Sequence, residues 1–293
     1  MTGSGPRPVG LLLREWRNRR RLSQLQLAVA SGVSTRHLSF VESGRSRPSR
    51  EMILHLATSL EVPLRERNGL LLAAGLAPAY TETSLDAPEM APVREALEQL
   101  LAAHEPFPAV VVDRHWNLVL ANTSVLTLVT DIDDGLLRPP INVLRATLHP
   151  GGLAPLIVNF DEYASHLIDR LRRQISLTGD PELEELFREL LAYPRVRAGL
   201  SGAGHGAGGA GAVAADAGAA DAGAAAGAGH VLPSDVVLPI RIRNGSEVLS
   251  FFTMVSTLGT ALDVTLADLA VESFFPADEL TGRLVRERAA ASG

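Results

Sequence analysis

The sequence predicts two domains, an all-α domain at the N-terminus and an α+β domain after it. The 293 residues exceed the usual length of one domain. Capped amphipathic helices follow one another up to Gly75, whereas hairpin signals appear only beyond it. The net charge changes sign at the same point. Residues 1–75 carry twelve arginines and five glutamates, a net charge of +7. Because the whole chain has a net charge of −6, the remaining residues carry −13. We therefore predict domains over residues 1–84 and 85–293.

Composition excludes several kinds of site. The chain contains no cysteine, which rules out a disulfide framework, a thiolate zinc site and a cysteine nucleophile. All 27 basic residues are arginine, which rules out a P-loop and a lysine Schiff base. The eight histidines show no paired spacing of metal ligands. We expect no enzyme, no metal and no cofactor, and in the absence of a signal peptide or a long apolar run we expect a cytoplasmic protein that does not contact membranes.

Five short helices are predicted in the first domain. They cover residues 9–20, the segment from the capping box Ser23-Gln24-Leu25-Gln26 to about residue 31, and residues 35–43, 50–60 and 64–74. The second and third helices are joined across Gly32-Val33-Ser34, with Ser34 as the cap of the third. Two short helices joined by a glycine turn are the arrangement of a helix-turn-helix, whose second helix enters the major groove of DNA.

The third helix divides into two faces at 100° per residue. Leu38, Val41 and Ser34 fall on the side that we expect to pack against the domain. The residues expected to contact double-stranded DNA come from the opposite side of the helix, from its ends and from the neighbouring segments: Gln24, Ser34, Thr35, Arg36, His37, Ser39, Phe40, Ser43, Arg45, Arg47 and Arg50. A solvated arginine face on an ordinary helical bundle is the alternative. The ordered capping box, glycine turn, capped third helix and basic excess favour DNA binding.

These residue types suit different parts of a DNA duplex. Arg36 offers donors to a base edge and Phe40 an apolar contact to a thymine methyl group. Gln24 is expected to meet a phosphate through its amide and the helix N-terminus. The arginines that follow the third helix are expected to contact the DNA backbone, where they position the domain without reading sequence.

The second domain follows a linker over residues 76–91 and mixes helices with hairpins. The predicted elements are a helix at 93–103, a hairpin of 109–113 and 116–121 turning at Arg114-His115 and entering a helix at Asn122, helices at 161–176 and 181–192, a hairpin of 236–243 and 247–256 turning at Asn244-Gly245, a strand near 269–274 and a helix at 278–290. Residues 199–229 are nearly all alanine and glycine, which cannot build a core. We predict a disordered, flexible insertion over 199–230 that binds nothing.

Several motifs match known families. Residues 9–75 resemble the xenobiotic-response-element (Cro/repressor-like) helix-turn-helix family in Leu22-Ser23-Gln24, Leu27-Ala28, Gly32-Val33-Ser34, Leu38-Ser39 and the run from Glu42 to Ser49. Together with Pro63-Leu64-Arg65-Glu66-Arg67-Asn68 and Leu71-Leu72-Ala73-Ala74-Gly75, the chain is similar to MmyB-like transcriptional regulators. The resemblance implies a lambda-repressor-like DNA-binding domain and a PAS-like ligand-binding domain, with residues 111–122 and 237–276 in the sheet of the latter.

The resemblance also implies a small apolar or fatty-acid-like ligand that alters DNA binding. The candidate lining residues are the aromatics of the second domain, Trp116, Phe160, Tyr163, Phe251, Phe252 and Phe274. A homodimer is expected, because one small helix-turn-helix buries little DNA surface and a pair reads two half-sites about one helical turn apart. Two alternatives remain: a second domain that only mediates dimerisation or protein contacts, and a catalytic domain, for which the sequence offers no recognisable constellation.

Overall fold

The computed structural model describes residues 7–127, 132–203 and 238–292. The first domain consists of five helices, α1 (Val9–Arg19), α2 (Gln24–Ser31), α3 (Thr35–Glu42), α4 (Arg50–Ser59) and α5 (Leu64–Ala73). Serine side chains cap three of them. Ser23 forms a capping box with Gln26, while Ser34 accepts the His37 N–H and Ser49 accepts the Met52 N–H. The predicted all-helical domain is therefore confirmed, with helix ends within two residues of the expected ones.

Apolar side chains from all five helices form the core of the first domain. Its buried members include Leu13, Trp16, Leu27, Leu38, Val41, Ile53, Leu56, Leu60, Leu70 and Leu71. Helices α1 and α3 approach each other closely at Gly10, where a Cβ atom would lie 2.2 Å from the Val41 carbonyl oxygen. A glycine is required here because any side chain would overlap the α3 backbone.

The second domain is a five-stranded sheet with helices on both faces. Its elements are α6 (Ala91–Ala103), β1 (Ala109–Val112), β2 (Leu118–Ala121), α7 (Val143–Leu148), α8 (Phe160–Thr178), α9 (Pro181–Ala192), α10 (Pro194–Ala203), β3 (Ile240–Asn244), β4 (Glu247–Thr257), α11 (Val264–Ala267), β5 (Ala270–Pro276) and α12 (Glu279–Ser292), with short 3₁₀ helices at Pro88–Met90 and Thr123–Thr127. The strand order is β2-β1-β5-β4-β3, and all neighbours are antiparallel.

Each face of the sheet has its own apolar cluster. On one face α8 and α9 bury Phe160, Ile168 and Leu186 against strand residues such as Phe251. On the other face α6 packs with β1 and β5 around Leu97, Leu101, Val111 and Val271. The predicted α+β domain with an antiparallel sheet is confirmed.

The Ala/Gly-rich segment begins later than the sequence indicates. Residues 199–203, placed in the insertion, belong to α10. A Cβ at Gly199 would lie 3.1 Å from Asp161 Oδ1 of α8, so the glycine permits close packing of the two helices. That tertiary contact outweighs the low helix propensity of glycine. The remainder of the predicted insertion, 204–230, lies outside the described residues.

Two turns also differ from expectation. Asn244 pairs with Glu247, so the hairpin loop is Gly245-Ser246 and not Asn244-Gly245; Gly245 takes the first loop position with φ +64°. In the first hairpin β2 begins at Leu118, and Trp116 lies in the loop with φ +68°. The Trp116 side chain is buried, and its indole N–H donates to Gln174 Oε1 at 2.8 Å. Packing against α8 therefore removes Trp116 from the strand.

Candidate nucleic-acid interface and interdomain cavity

Helix α3 presents one buried and one exposed side. Leu38 and Val41 are buried as predicted, while Thr35, Arg36 and Ser43 are exposed and Ser39, Phe40 and His37 partly so. The Arg36 guanidinium lies over the Phe40 ring, 5.5 Å from its centroid, which orients the arginine along the exposed side. Ser34 was expected to pack, which is wrong: it is exposed because its hydroxyl caps the helix.

The residues around α3 divide into free and engaged side chains. Arg45 and Arg47 are exposed in the loop between α3 and α4. Arg50 instead donates to the carbonyl oxygens of Ala77 and Pro78 at 2.7 and 3.1 Å, which ties α4 to the linker. The Gln24 amide donates to Glu42 Oε2 at 2.8 Å. In the structure the Gln24 and Arg50 side chains thus hold the domain together.

A buried ion pair fixes α3 against α1. Arg17 binds Glu42 through two hydrogen bonds of 2.7 and 2.9 Å, and the two side chains are only 10% and 3% exposed. Burial opposes ionisation of Glu42, but the hydrogen bonds from Arg17 and Gln24 and the charge of Arg17 outweigh it and lower the pKa of this carboxyl. The sequence analysis missed this pair. Its signal is the spacing of Arg17 four residues after the buried Leu13, which puts a charge on the apolar face of α1.

A cavity of about 510 Å³ lies where the two domains meet. Its apolar walls come from Trp116, Leu177, Leu183, Val255 and Leu269, with Pro63 of the first domain at one side. The charged lining residues are four arginines, Arg65, Arg114, Arg170 and Arg173, and four carboxylates, Glu66, Asp113, Asp180 and Asp268. The cavity is thus apolar in part and evenly balanced in charge.

Ion pairs and hydrogen bonds beside the cavity join the domains. Arg65 Nε of α5 lies 2.9 Å from Asp268 Oδ2, and Glu66 Oε1 lies 3.6 Å from Arg114 Nη1. Arg19 Nη1 at the end of α1 donates to the Thr178 carbonyl oxygen at 2.7 Å. We call these three contacts the interdomain seam. The sequence offered no signal for them, since their partners are far apart in the chain.

The pKa values of two carboxyl groups near the seam are shifted in opposite directions. Burial raises the pKa of Glu66, and the charge of Arg114 only partly offsets it. Burial also acts on Asp180, but the hydrogen bond from His115 and the charge of Arg114 prevail and lower the pKa of that carboxyl. Arg114 is therefore the cation that these two acids share.

Of the six aromatic residues predicted to line a ligand site, the structure places Trp116 at the cavity. Phe160, Tyr163 and Phe251 are buried in the core on the α8 face of the sheet. Phe274 packs edge-on against Phe251, and Phe252 stacks on Phe275 with centroids 5.4 Å apart. Five of the six, Trp116, Phe160, Tyr163, Phe251 and Phe274, thus belong to one apolar cluster.

Comparison with known proteins agrees with this architecture. The sequence model of the MmyB-like transcription regulator ligand binding domain matches residues 93–287. The chain belongs to the MmyB-like transcription regulators. A helix-turn-helix family model matches residues 13–67, which contain α2 and α3. An uncharacterized HTH-type transcriptional regulator, RghRB of Bacillus subtilis (strain 168), is 36% identical over 105 residues, or 36% of this chain and 67% of that protein.

This MmyB-like regulator is thus a helix-turn-helix transcription regulator of the xenobiotic-response-element type with a ligand-binding domain. Among residues 7–127, 132–203 and 238–292, no helix is both long enough and apolar enough to span a bilayer. The same residues contain no group of three or more histidine, aspartate or glutamate side chains arranged to hold a metal ion.

Proposed function

We propose that this regulator binds a specific operator as a homodimer, with α3 of each subunit in the major groove, and that a small apolar or fatty-acid-like ligand in the second domain alters this binding. The exposed side of α3 carries the proposal. Thr35, Arg36, Ser39 and Phe40 line it, backed by the buried Leu38 and Val41. This is the placement by which a recognition helix reads base edges.

Each exposed group has a defined chemical role. Arg36 donates to a guanine edge, and the Phe40 ring beneath it contacts a thymine methyl group. Thr35 and Ser39 are small enough to let the helix approach the bases. Arg45 and Arg47 contact phosphates, which fixes the register of the domain on DNA without specifying sequence.

The ligand part rests on the interdomain cavity. A space of about 510 Å³ with apolar walls and a few charged groups lies in the range of small-molecule sites. Most of its lining comes from the matched ligand-binding domain. The homodimer part rests on the size of the helix-turn-helix, which covers one half-site, so that two copies read a site with two-fold symmetry.

Operator selection with single variants tests the DNA part. We expect Arg36→Ala to relax preference at one base pair and to cost about 1–3 kcal/mol of binding free energy. Arg47→Ala should weaken all sequences alike and reduce the salt dependence by about one phosphate contact. Randomised duplexes selected with the purified full chain give the preferences, and fluorescence anisotropy at several salt concentrations gives the affinities.

Arg94→Ala is the matched control. It also removes one arginine, but Arg94 lies on α6, where it pairs with Asp86 and Glu98. Its affinity and base preferences should equal those of the unaltered chain. An unchanged preference in Arg36→Ala would show that α3 does not read the operator through this residue.

A further inference from the structure

Strand β4 is longer than the strand that borders it on one side. It pairs with β5 over Phe251–Thr257, but β3 pairs only with Glu247–Phe251. Within the part of the chain that the structure describes, no strand lies on the β3 side of residues 252–257, which we call the free edge. We propose that the free edge pairs antiparallel with the free edge of a second copy, so that the two sheets join across a two-fold axis at Val255.

The backbone of the free edge offers an ordered row of hydrogen-bonding groups. The Ser250 carbonyl oxygen accepts from the N–H of Ala277, which directly follows β5, so the backbone groups of Ser250 point toward β5. Successive residues of an antiparallel strand point their N–H and C=O groups to opposite sides. The groups of Thr253, Val255 and Thr257 therefore point away from β5. A row of outward donors and acceptors is matched best by another β-strand.

The side chains around the free edge do nothing to keep another strand away. Residues 248–262 contain no charged residue and no proline, the residues with which proteins usually protect an exposed edge. Met254 and Val255 are 54% and 44% exposed, and Leu258 and Leu262 beyond the strand are exposed as well. Left uncovered, an edge of this composition promotes aggregation, so it requires a defined partner.

The free edge is complementary to a second copy of itself. With Val255 on the axis, antiparallel pairing places Thr253 opposite the partner's Thr257 and Met254 opposite the partner's Ser256. Pairs of threonines are favourable across strands, and no like charges meet. The outward backbone groups of the two strands also come opposite one another. Pairing of identical antiparallel strands has two-fold symmetry by construction, which is the symmetry of a closed homodimer.

The free edge also lies at the junction with the DNA-binding domain. Val255 and Thr257 line the interdomain cavity together with Pro63 and Arg65 of the first domain. Pairing of two free edges therefore brings both helix-turn-helix domains beside the axis and relates them by the same symmetry. An operator with two symmetric half-sites requires this arrangement. The inference thus rests on the homodimer of the proposed function and adds the surface that forms it.

The length of the free edge limits the strength of the dimer. Its strand residues extend about 20 Å, whereas stable complexes bury about 800 Å² on each partner. Leu258 and Leu262 add apolar surface beside the strand. We therefore expect a dimer that forms at micromolar concentrations in solution and is stabilised further when both helix-turn-helix domains bind one operator.

Charges placed on the free edge test the pairing. Met254 and Ser256 are exposed and point away from the interdomain cavity, because they alternate with Val255 and Thr257. One full-length variant carries Met254→Glu with Ser256→Glu, and a second carries Met254→Arg with Ser256→Arg. In the proposed register each variant alone places like charges opposite each other, whereas a mixture of the two places opposite charges there. Sedimentation velocity at several concentrations measures the association.

We expect each variant alone to dimerise about tenfold more weakly than the unaltered chain, or worse, and an equimolar mixture to dimerise again. Recovery in the mixture also shows that both variants are folded. Arg241→Glu with Arg243→Glu is the matched control. It changes two exposed residues two positions apart on β3, outside the free edge, and should leave dimerisation unchanged.

Hydrogen exchange distinguishes a second copy from another occupant of the free edge. The peptide that contains Val255 should exchange slowly at concentrations where the unaltered chain is dimeric. It should exchange rapidly after dilution and in either charged variant alone. Slow exchange in the monomeric variants would place another segment of the same chain on the free edge and would overturn the inference.

The outcomes separate this inference from the function on which it rests. If both charged variants dimerise like the unaltered chain, the dimer forms on another surface, and only this inference fails. If each variant is monomeric and their mixture is monomeric too, the antiparallel register is wrong and the inference fails. If the unaltered chain is monomeric both in solution and on operator DNA, the homodimer of the proposed function fails, and this inference fails with it.

Discussion

Two arginine–carboxylate contacts of this regulator have opposite constructions. Inside the first domain, Arg17 and Glu42 form two short hydrogen bonds, and both side chains are almost fully buried. At the interdomain seam, Arg114 and Glu66 are 3.6 Å apart, with 28% and 36% of their side chains exposed. The same pair of residue types is thus used once as a fixed internal bond and once as a loose contact.

The two contacts therefore differ in what they contribute to stability. Removing one partner of a buried pair leaves an uncompensated charge and costs about 3–5 kcal/mol. Partly exposed pairs contribute about 0–1 kcal/mol each and weaken as salt screens them. Helix α3 is therefore held firmly in its domain, whereas the contact of Arg114 with Glu66 contributes little to holding the two domains together.

The largest expected effect comes from breaking the internal pair. Glu42→Ala leaves Arg17 charged and buried, so we expect the first domain to lose about 3–5 kcal/mol of stability. Native-state hydrogen exchange of peptides from α1 and α3 measures the free energy of opening for this domain separately. Glu15→Ala, which removes the exposed partner of Arg7, should change it by less than about 1 kcal/mol.

The same pair gives a pH dependence with a definite sign. Because the pKa of Glu42 is lowered in the folded domain, its contribution is complete above the unfolded value of about 4.3 and is lost as pH falls through the folded value. Glu42→Gln should lack this acid-induced loss. An acid response of equal size in both proteins would place the effect on another carboxyl.

The second effect tests the close contact of α1 with α3. Gly10→Ala puts a Cβ 2.2 Å from the Val41 carbonyl oxygen, so the helices must move apart, at a cost of about 1–3 kcal/mol. Gly69→Ala makes the same exchange inside α5, where nothing lies within 4 Å, and should stabilise by up to about 1 kcal/mol. Thermal unfolding of both variants should give opposite shifts. Shifts of the same sign would show that α1 is free to adjust.

The sequence predicts the local parts of this molecule well, because helices and hairpins are specified by nearby residues. The serine caps at Ser23 and Ser34 and the apolar spacing of Leu38 and Val41 are examples. The sequence did not predict how segments that are distant in the chain pack against each other. Because the end of α10 is rich in glycine and alanine, it was predicted as part of the insertion, although it is helical and packs on α8.

The candidate sites follow the same division. The exposed side of α3 was predicted from one helix, since 100° per residue suffices to sort its side chains. The ligand cavity was predicted from the aromatic residues of the second domain. Buried core positions such as Phe160 and Phe251 are aromatic too, so residue type alone does not separate core from cavity lining. Its charged lining joins α5 to residues some 50 to 200 positions later, such as Arg114 and Asp268, and no pattern within either segment indicates that pairing.

The smallest expected effect concerns the α1 end of the seam. Gly179 follows α8 with φ +64°, and a Cβ there would lie 2.1 Å from Arg19 Nη2. Gly179→Ala should therefore cost about 1–2 kcal/mol through its backbone and also push the Arg19 guanidinium off the Thr178 carbonyl oxygen. Gly245→Ala is the matched control, because it carries the same φ with nothing within 4 Å.

Both glycine variants should lose similar stability, but only one should loosen the domains. The chain contains no cysteine, so a donor and an acceptor dye placed on Leu72→Cys of α5 and Leu100→Cys of α6 report the distance between the domains by energy transfer. Gly179→Ala should show lower energy transfer than Gly245→Ala at the same salt concentration. The gap should narrow as salt is added, because screening weakens the remaining ion pairs of the seam in both proteins. Equal energy transfer in the two variants would mean that the hydrogen bond from Arg19 to Thr178 does not hold the domains together.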